Sequence, residues 1–177
     1  MKYIKITYLI ILVLSVTTCK KNEADSLVNN KVPIDSIQID DKKEISNIGE
    51  TLLPDSKIKV ENWHEYQQLD QLLTNFYSIS PNEALNLSQE LSTTTKQLKD
   101  SLKIDRFKEP DVLIRINVLH NSALRLADMA TIPNIEVSEV KGETKNILNA
   151  FSALNAKINN ITRQEKLETE LKDFEKN

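Results

Sequence analysis

The sequence of 177 residues has little glycine and few aromatic residues, and it contains a single cysteine, Cys19. One cysteine excludes a disulfide within the chain and a zinc site built from several cysteine ligands. Because only two residues are glycine, few positions suit the tight turns of a many-stranded β fold. Alanine, leucine, glutamate and lysine are frequent instead, and these residues favour helices. The composition therefore predicts an all-α fold.

The charges are nearly balanced, with 23 basic and 26 acidic residues and a net charge of −3. This balance does not indicate a nucleic-acid partner. The nucleophile motif Gly-x-Ser-x-Gly and a glycine-rich phosphate loop are absent from the sequence. His120 has no acidic residue three positions before it, as the paired Glu-x-x-His motifs of metal sites in helical bundles require. We therefore predict a protein that is not an enzyme and that holds no metal and no cofactor.

The stretch 110–130, PDVLIRINVLHNSALRLADMA, is the longest nearly apolar run outside the first 18 residues. At helical spacing one face carries Val112, Ile116, Leu119, Ala123, Leu126, Ala127 and Ala130. Further apolar residues, among them Ile114, Val118 and Leu124, lie outside that face. A helix that is apolar around so much of its circumference is expected to be buried on more than one side.

Polar residues of the same stretch form the main candidate interaction cluster. Asn117, Asn121 and Asp128 lie opposite the core face with Arg125 beside them, whereas Arg115 and His120 flank the core face. One interpretation is a solvated back face with two long side chains at its edges. The other is a partly buried polar network of Arg115, His120, Arg125 and Asp128 that fixes the helix register or contacts a partner.

Apolar periodicity predicts four helices in the region 60–163, which we interpret as an up-down-up-down four-helix bundle. The first spans about 61–77, and the second begins at Ser80-Pro81 with Glu83 completing a capping box. The third is the stretch 110–130, and the fourth begins between residues 138 and 143, close to Gly142. The charged segment 164–177 either extends the fourth helix or forms a separate turn of helix.

Asparagines of the last two helices complete the set of candidate interaction residues. Asn155 and Asn159 stand one turn apart at the edge of the apolar face of the fourth helix. They either pair with Asn117 and Asn121 across the two helices or face water at the edge of the domain.

The N-terminal segment has the features of a targeting sequence. Lys2 and Lys5 precede an apolar run over residues 6–16, which is too short for a transmembrane helix. The sequence Val16-Thr17-Thr18-Cys19 follows, and it resembles the lipobox of bacterial lipoproteins, with Thr18 at a position where a smaller residue is usual. The resemblance covers only the first ~20 residues. It implies removal of residues 1–18, a lipid on Cys19 and attachment to a membrane.

Residues 19–59 are predicted to be the lipidated N-terminus and a flexible tether, because they are polar and lack a sustained apolar period. Their isoleucines, Ile34, Ile37, Ile39 and Ile45, are more apolar than a pure linker requires. These isoleucines indicate docking on the helical domain or a short strand.

Together these features predict a non-enzymatic lipoprotein that acts through protein contacts as an accessory module in the bacterial cell envelope. Lys20 follows the cysteine where an aspartate can retain a lipoprotein at the inner membrane, so the outer membrane, facing the periplasm, is favoured. The alternative is a helical bundle that binds a small ligand or a metal between its helices near Arg115, His120 and Asn155.

Overall fold

The computed structural model describes residues 42–175, which are mostly helical. The helices are α1 (Pro54–Val60), α2 (His64–Phe76), α3 (Pro81–Asp100), α4 (Pro110–Met129) and α5 (Val137–Phe174). Two short strands, β1 (Glu44–Ile45) and β2 (Ser78–Ile79), pair antiparallel, and one 3₁₀ turn spans Asp105–Phe107. The prediction of an all-α class is thereby confirmed for the described residues.

Helix α3 begins with the predicted capping box. The Ser80 hydroxyl accepts from the Glu83 backbone N–H at 3.3 Å, and the Glu83 carboxylate accepts from the Ser80 backbone N–H at 3.0 Å. The run Thr93–Thr95 does not interrupt the helix, because each hydroxyl donates to the carbonyl four residues earlier.

Helix α4 packs mainly between α3 and α5. Its predicted core face is confirmed for Val112, Ile116, Leu119, Ala123 and Leu126, which are all fully buried. The expectation of burial on more than one side was wrong for the opposite face. There Ile114, Val118 and Leu124 are 56%, 50% and 41% exposed.

The first predicted helix, about 61–77, corresponds to α2, and α1 lies before it in residues that were predicted to be tether. Residues 61–63 separate α1 from α2. Trp63 leaves the helical conformation with φ −92° and ψ 83°, and its side chain is buried. The indole lies 5.8 Å from the Tyr66 ring and 6.2 Å from the Phe107 ring, and its N–H donates to the Ser101 hydroxyl at 3.0 Å. Burial of this large ring therefore accounts for the break between α1 and α2.

Helix α5 begins at Val137, slightly before the predicted start, and includes Gly142 in its first turns. It continues without a break to Phe174, so the charged C-terminal segment extends the fourth predicted helix. Beyond the core, Leu167, Leu171 and Phe174 are exposed.

The predicted boundary between tether and domain requires correction. Residues 44–53, here called the strap, lie on the domain, and α1 follows them with Ser56 and Val60 buried. Strand β1 pairs with β2, and the Ser46 N–H donates to the Tyr77 carbonyl at 2.9 Å. The alternative of a short strand at Ile45 is the one observed. The predicted signal peptide, Cys19 and tether residues 20–41 lie outside the described residues.

Candidate functional site

The polar residues of α4 do not form the predicted single network. Arg115 donates to the backbone carbonyl of Asp111 at 2.7 Å, within its own helix. His120 instead faces α3, where its Nδ1 lies 2.9 Å from the Thr95 hydroxyl. Asn121 and Asp128 are exposed. The network of Arg115, His120, Arg125 and Asp128 was therefore a wrong interpretation, because helical geometry directs these side chains to different neighbours.

Arg125 makes the charged link between α4 and α5. Its guanidinium donates to the Glu143 carboxylate at 2.8 Å and to the Ser122 hydroxyl at 2.7 Å. Glu143 is only 5% exposed, and it also accepts from the Asn146 amide at 3.3 Å. A buried carboxylate needs such partners, so this pair helps to hold the two helices in register.

Asn155 and Asn159 are the most deeply buried polar residues of α5, each 2% exposed. The Asn155 amide donates to the Glu50 carbonyl at 3.0 Å. The Asn159 amide donates to the Thr51 carbonyl at 2.9 Å, while its oxygen accepts from the Leu53 N–H at 2.9 Å. Both sequence-based alternatives, pairing with Asn117 and Asn121 or facing water, were wrong. The partner is the strap.

Tyr66 of α2 fixes the orientation of Asn155. Its hydroxyl donates to the Asn155 side-chain oxygen at 2.7 Å, which leaves the amide NH₂ facing the strap. Tyr66 is buried and its ring stacks on Phe151. Burial, followed by the nearby charge of Asp70, raises the pKa of Tyr66, so the hydroxyl keeps its proton at neutral pH.

Ser152 adds a fourth contact on the same side of α5. Its hydroxyl accepts from the Glu50 N–H at 2.7 Å. Gly49 lies directly over Ser152, where a Cβ on this glycine would be 2.5 Å from the hydroxyl oxygen. We call Ser152, Asn155, Asn159 and Tyr66 the strap groove. Its arrangement of donors and acceptors matches the main chain of one extended segment.

Sequence reasoning identified Asn155 and Asn159 but missed Ser152, Tyr66 and the strap itself. A usable signal was present: positions 152, 155 and 159 recur at helical spacing beside the apolar face formed by Phe151, Leu154 and Ile158. Small polar side chains that border a core face in this way indicate a second segment that needs hydrogen bonds.

A cleft of about 610 Å³ lies between α1 and α2, close to the strap groove. Its lining includes Leu52, Lys57, Tyr66, Gln67 and Asp70. Burial raises the pKa of Asp70, an effect that the neighbouring Lys57 opposes. The ligand site expected near Arg115, His120 and Asn155 does not coincide with this cleft, since those three side chains contact separate parts of the domain.

Within residues 42–175, no group of three or more His, Cys, Asp or Glu side chains has the geometry to hold a metal ion. Glu61 and His64 have Glu-x-x-His spacing. Glu61 caps the end of α1 whereas His64 opens α2, so the two do not share a helix face. His64 instead lies 3.0 Å from the Gln68 amide.

Comparison with known proteins gives no relative: no protein-family model, curated protein or solved structure matches this chain significantly. None of the helices between residues 42 and 175 is long and apolar enough to cross a membrane.

Proposed function

We propose that this protein is a lipid-anchored, non-enzymatic module of the bacterial cell envelope that acts through protein contacts. The observation that carries the proposal is the sequence Val16-Thr17-Thr18-Cys19 after a basic and apolar leader, in a chain with no other cysteine. The domain that follows uses the buried Asn155 and Asn159 to bind main-chain atoms of a peptide segment, which fits a role in protein contacts.

Metabolic labelling with an alkyne fatty acid tests the anchor. The full-length chain is expected to take up the label and to sediment with membranes, whereas Cys19→Ala is expected to lose both properties. Thr18→Gly is the matched variant, because a smaller residue before the cysteine is expected to increase processing. Equal labelling of the wild type and Cys19→Ala would refute lipidation at this residue.

We propose the outer membrane, facing the periplasm, as the site of the anchor, on the basis of Lys20 after the cysteine. Density-gradient separation of the two membranes is expected to place the wild type in the outer-membrane fraction. Lys20→Asp is expected to move the protein to the inner membrane. If both proteins stay in one fraction, position 20 does not direct sorting.

Cross-linking in cells tests the proposed accessory role. One protein recovered in constant ratio with the wild type, and lost with Cys19→Ala, would support it. If cross-linking recovers only the protein itself at every cross-linker length, the accessory role is refuted.

We further propose that α2, α3, α4 and the first part of α5 form an up-down-up-down four-helix bundle, with α1 and the strap on its side. Short connections and the packing of α4 between α3 and α5 support this order. Spin labels at Gln68 and Ile114, near the starts of α2 and α4, are then expected at the same end. If α4 ran in the opposite direction, the distance between the two labels would increase by up to about 30 Å, the length of a 20-residue helix.

A second candidate function is the binding of a small ligand in the cleft between α1 and α2. It is favoured by the coexistence of apolar walls and Asp70, a carboxyl group whose pKa burial raises. Native mass spectrometry of protein purified from its own cells is the test. A bound small molecule that Asp70→Ala releases would support this function, and a mass equal to that of the lipidated chain alone would oppose it.

A further inference from the structure

The strap groove binds its segment through main-chain atoms. Ser152, Asn155 and Asn159 together bond the N–H and carbonyl of Glu50, the carbonyl of Thr51 and the N–H of Leu53. One further bond joins the Asn159 amide to the Glu50 carboxylate at 3.2 Å. Recognition of main-chain groups along an extended segment is a recurrent way of binding peptides, because every peptide supplies them.

The groove restricts the peptide sequence at two positions. Position 49 must be glycine, since a Cβ there would meet the Ser152 side chain at 2.5 to 2.7 Å. Leu52 is the strap side chain that enters the core, with 8% exposure. Glu50, Thr51 and Leu53 are exposed. The segment that fits the groove therefore has the pattern Gly-x-x-Leu in extended conformation.

The strap is held weakly outside the groove. Its strand pairing with β2 involves only two residues on each strand. The flanking ion pairs, Lys43 with Glu83 at 3.1 Å and Lys141 with Glu44 at 3.4 Å, join side chains that are between 33% and 58% exposed. Ion pairs at the surface and a ladder this short contribute little stability, so the strap is held mainly through the groove and through Leu52.

The groove would keep its geometry if the strap opened. Ser152, Asn155 and Asn159 lie on one long helix, and Tyr66 holds the Asn155 amide by a bond that does not involve the strap. Opening would expose the two amides to water, which replaces the lost partners. A rigid helix with oriented donors is a preformed surface for a second peptide.

We propose that the strap groove is a peptide-docking site that the strap occupies in the absence of a partner. The occupant that replaces the strap is an extended Gly-x-x-Leu segment of another protein. The proposal rests on the proposed function and names the kind of partner contact. Because the strap is tethered to its groove, it competes at an effective concentration of roughly millimolar, so free peptides are expected to bind the wild type weakly.

Fluorescence anisotropy tests this with a labelled peptide of residues 48–55. The protein is the mature chain with Cys19→Ser, which keeps it in solution. Gly49→Val in the protein is expected to displace its own strap and to strengthen peptide binding at least tenfold. The same peptide with valine in place of its glycine is expected not to bind.

Replacement of groove residues identifies the binding surface. In the Gly49→Val protein, Asn155→Ala with Asn159→Ala is expected to weaken peptide binding at least tenfold. Asn160→Ala, an exposed asparagine of the same helix, is the matched control and is expected to have no effect. A folded Gly49→Val protein that does not bind the peptide, or binding that survives the double replacement, would overturn the proposal.

Hydrogen exchange of the unmutated protein keeps the test decisive if Gly49→Val fails to fold. The Glu50 and Leu53 amides are expected to exchange at least tenfold faster than amides of α5 near Ile158. Exchange of both sets only through global unfolding would overturn the proposal. Light scattering measures the oligomeric state of the same protein. A dimer that is lost when Asn155 and Asn159 are replaced would mean that the strap of a second copy occupies the groove, and it would overturn the proposal of a different partner.

The outcomes separate this proposal from the proposed function. Absence of peptide binding, with fatty-acid labelling and cross-linking intact, would reject the docking site and retain the anchored module. Peptide binding without labelling of Cys19 would retain the docking site and reject the lipid anchor.

Discussion

Two polar clusters of this protein, one on α4 and one on α5, look alike in the sequence and differ in the structure. The residues of α4 are the more conspicuous, with arginines, a histidine and an aspartate within one apolar stretch. Arg115 and Asp128 nevertheless bond only within α4 or its C-terminal turn. The uncharged Asn155 and Asn159 of α5 are buried and bind a segment more than 100 residues away.

The difference follows from the cost of burying each type of group. A charged side chain on a helix surface reaches water along its flexible stem, and it needs no distant partner. A buried amide must have its donors and acceptor satisfied. Arg125 and Glu143 lie between these cases, because the arginine reaches solvent whereas the carboxylate does not.

The largest effect is expected from the α5 cluster. Asn155→Ala with Asn159→Ala removes the partners of three strap main-chain groups and of the Tyr66 hydroxyl. Each unsatisfied group costs about 1–3 kcal/mol when fully buried, and water reaches part of the strap, so we expect about 2–3 kcal/mol in total. Urea denaturation measures the change in the free energy of unfolding.

Asn121→Ala on α4 is the matched control for that double replacement. This asparagine is exposed, and its removal is expected to change the free energy of unfolding by less than about 0.5 kcal/mol. Equal losses in the two proteins would mean that burial does not distinguish the clusters.

Much of the fold could be predicted because it depends on local chemistry. The Ser80–Glu83 capping box and the core face from Val112 to Leu126 both follow from contacts within one helix. Helix α1 was not predicted, since residues 54–60 lie mostly in the segment assigned to the tether, and so the break at Trp63 that separates α1 from α2 was missed too. That break depends on Ser101 and Phe107, which only the folded chain brings to the indole.

The strap groove escaped prediction for a similar reason. Residues 44–53 have the composition of a linker, and only Leu52 enters the core. The strap is held through its main chain, and main-chain hydrogen bonds leave no pattern in the sequence. The spacing of Ser152, Asn155 and Asn159 was visible, but it did not identify the segment they bind.

The second largest loss of stability is expected from breaking the pair of Arg125 and Glu143, in which the arginine reaches solvent and the carboxylate is buried. Arg125→Met removes one partner of the buried Glu143 carboxylate and leaves it the hydrogen bond from the Asn146 amide. Loss of a fully buried partner costs about 3–5 kcal/mol, and the half-exposed position of Arg125 reduces our expectation to about 1–2 kcal/mol. The double replacement Arg125→Met with Glu143→Leu should recover most of the lost stability, as measured by thermal unfolding. If it does not, the unpaired Glu143 carboxylate is not the cause of the loss.

His120 of α4 is expected to make the stability of the protein depend on pH. Burial, followed by the charge of Lys99, lowers the pKa of His120 in the folded protein, with Lys96 acting in the same direction and Asp100 opposing it. The unfolded chain therefore binds a proton more readily, so stability is complete above the ordinary pKa of about 6.5 and falls as the pH drops through the lowered value.

His120→Gln is expected to remove this part of the pH dependence. At pH 7.5 loss of the contact with Thr95 should cost about 0.5–1 kcal/mol, and the difference from wild type should shrink as the pH falls. Unfolding curves between pH 7.5 and 5 measure both effects. A constant difference across that range would exclude His120 as the titrating group.

Gly142 gives the smallest expected effect and separates the stability of α5 from the contacts that α5 makes with the strap. It lies exposed inside the helix, its φ is not positive, and a Cβ added there meets no atom within 4 Å. Gly142→Ala should therefore stabilise the protein by about 0.5–1 kcal/mol, because alanine loses less backbone entropy on folding. Gly49→Ala provides the opposite case, since its methyl group would meet Ser152 and should destabilise the strap. If the strap opens independently, Gly142→Ala raises the melting temperature but leaves hydrogen exchange at Glu50 and Leu53 unchanged. Slower exchange at those two amides would mean instead that the strap and α5 unfold as one unit.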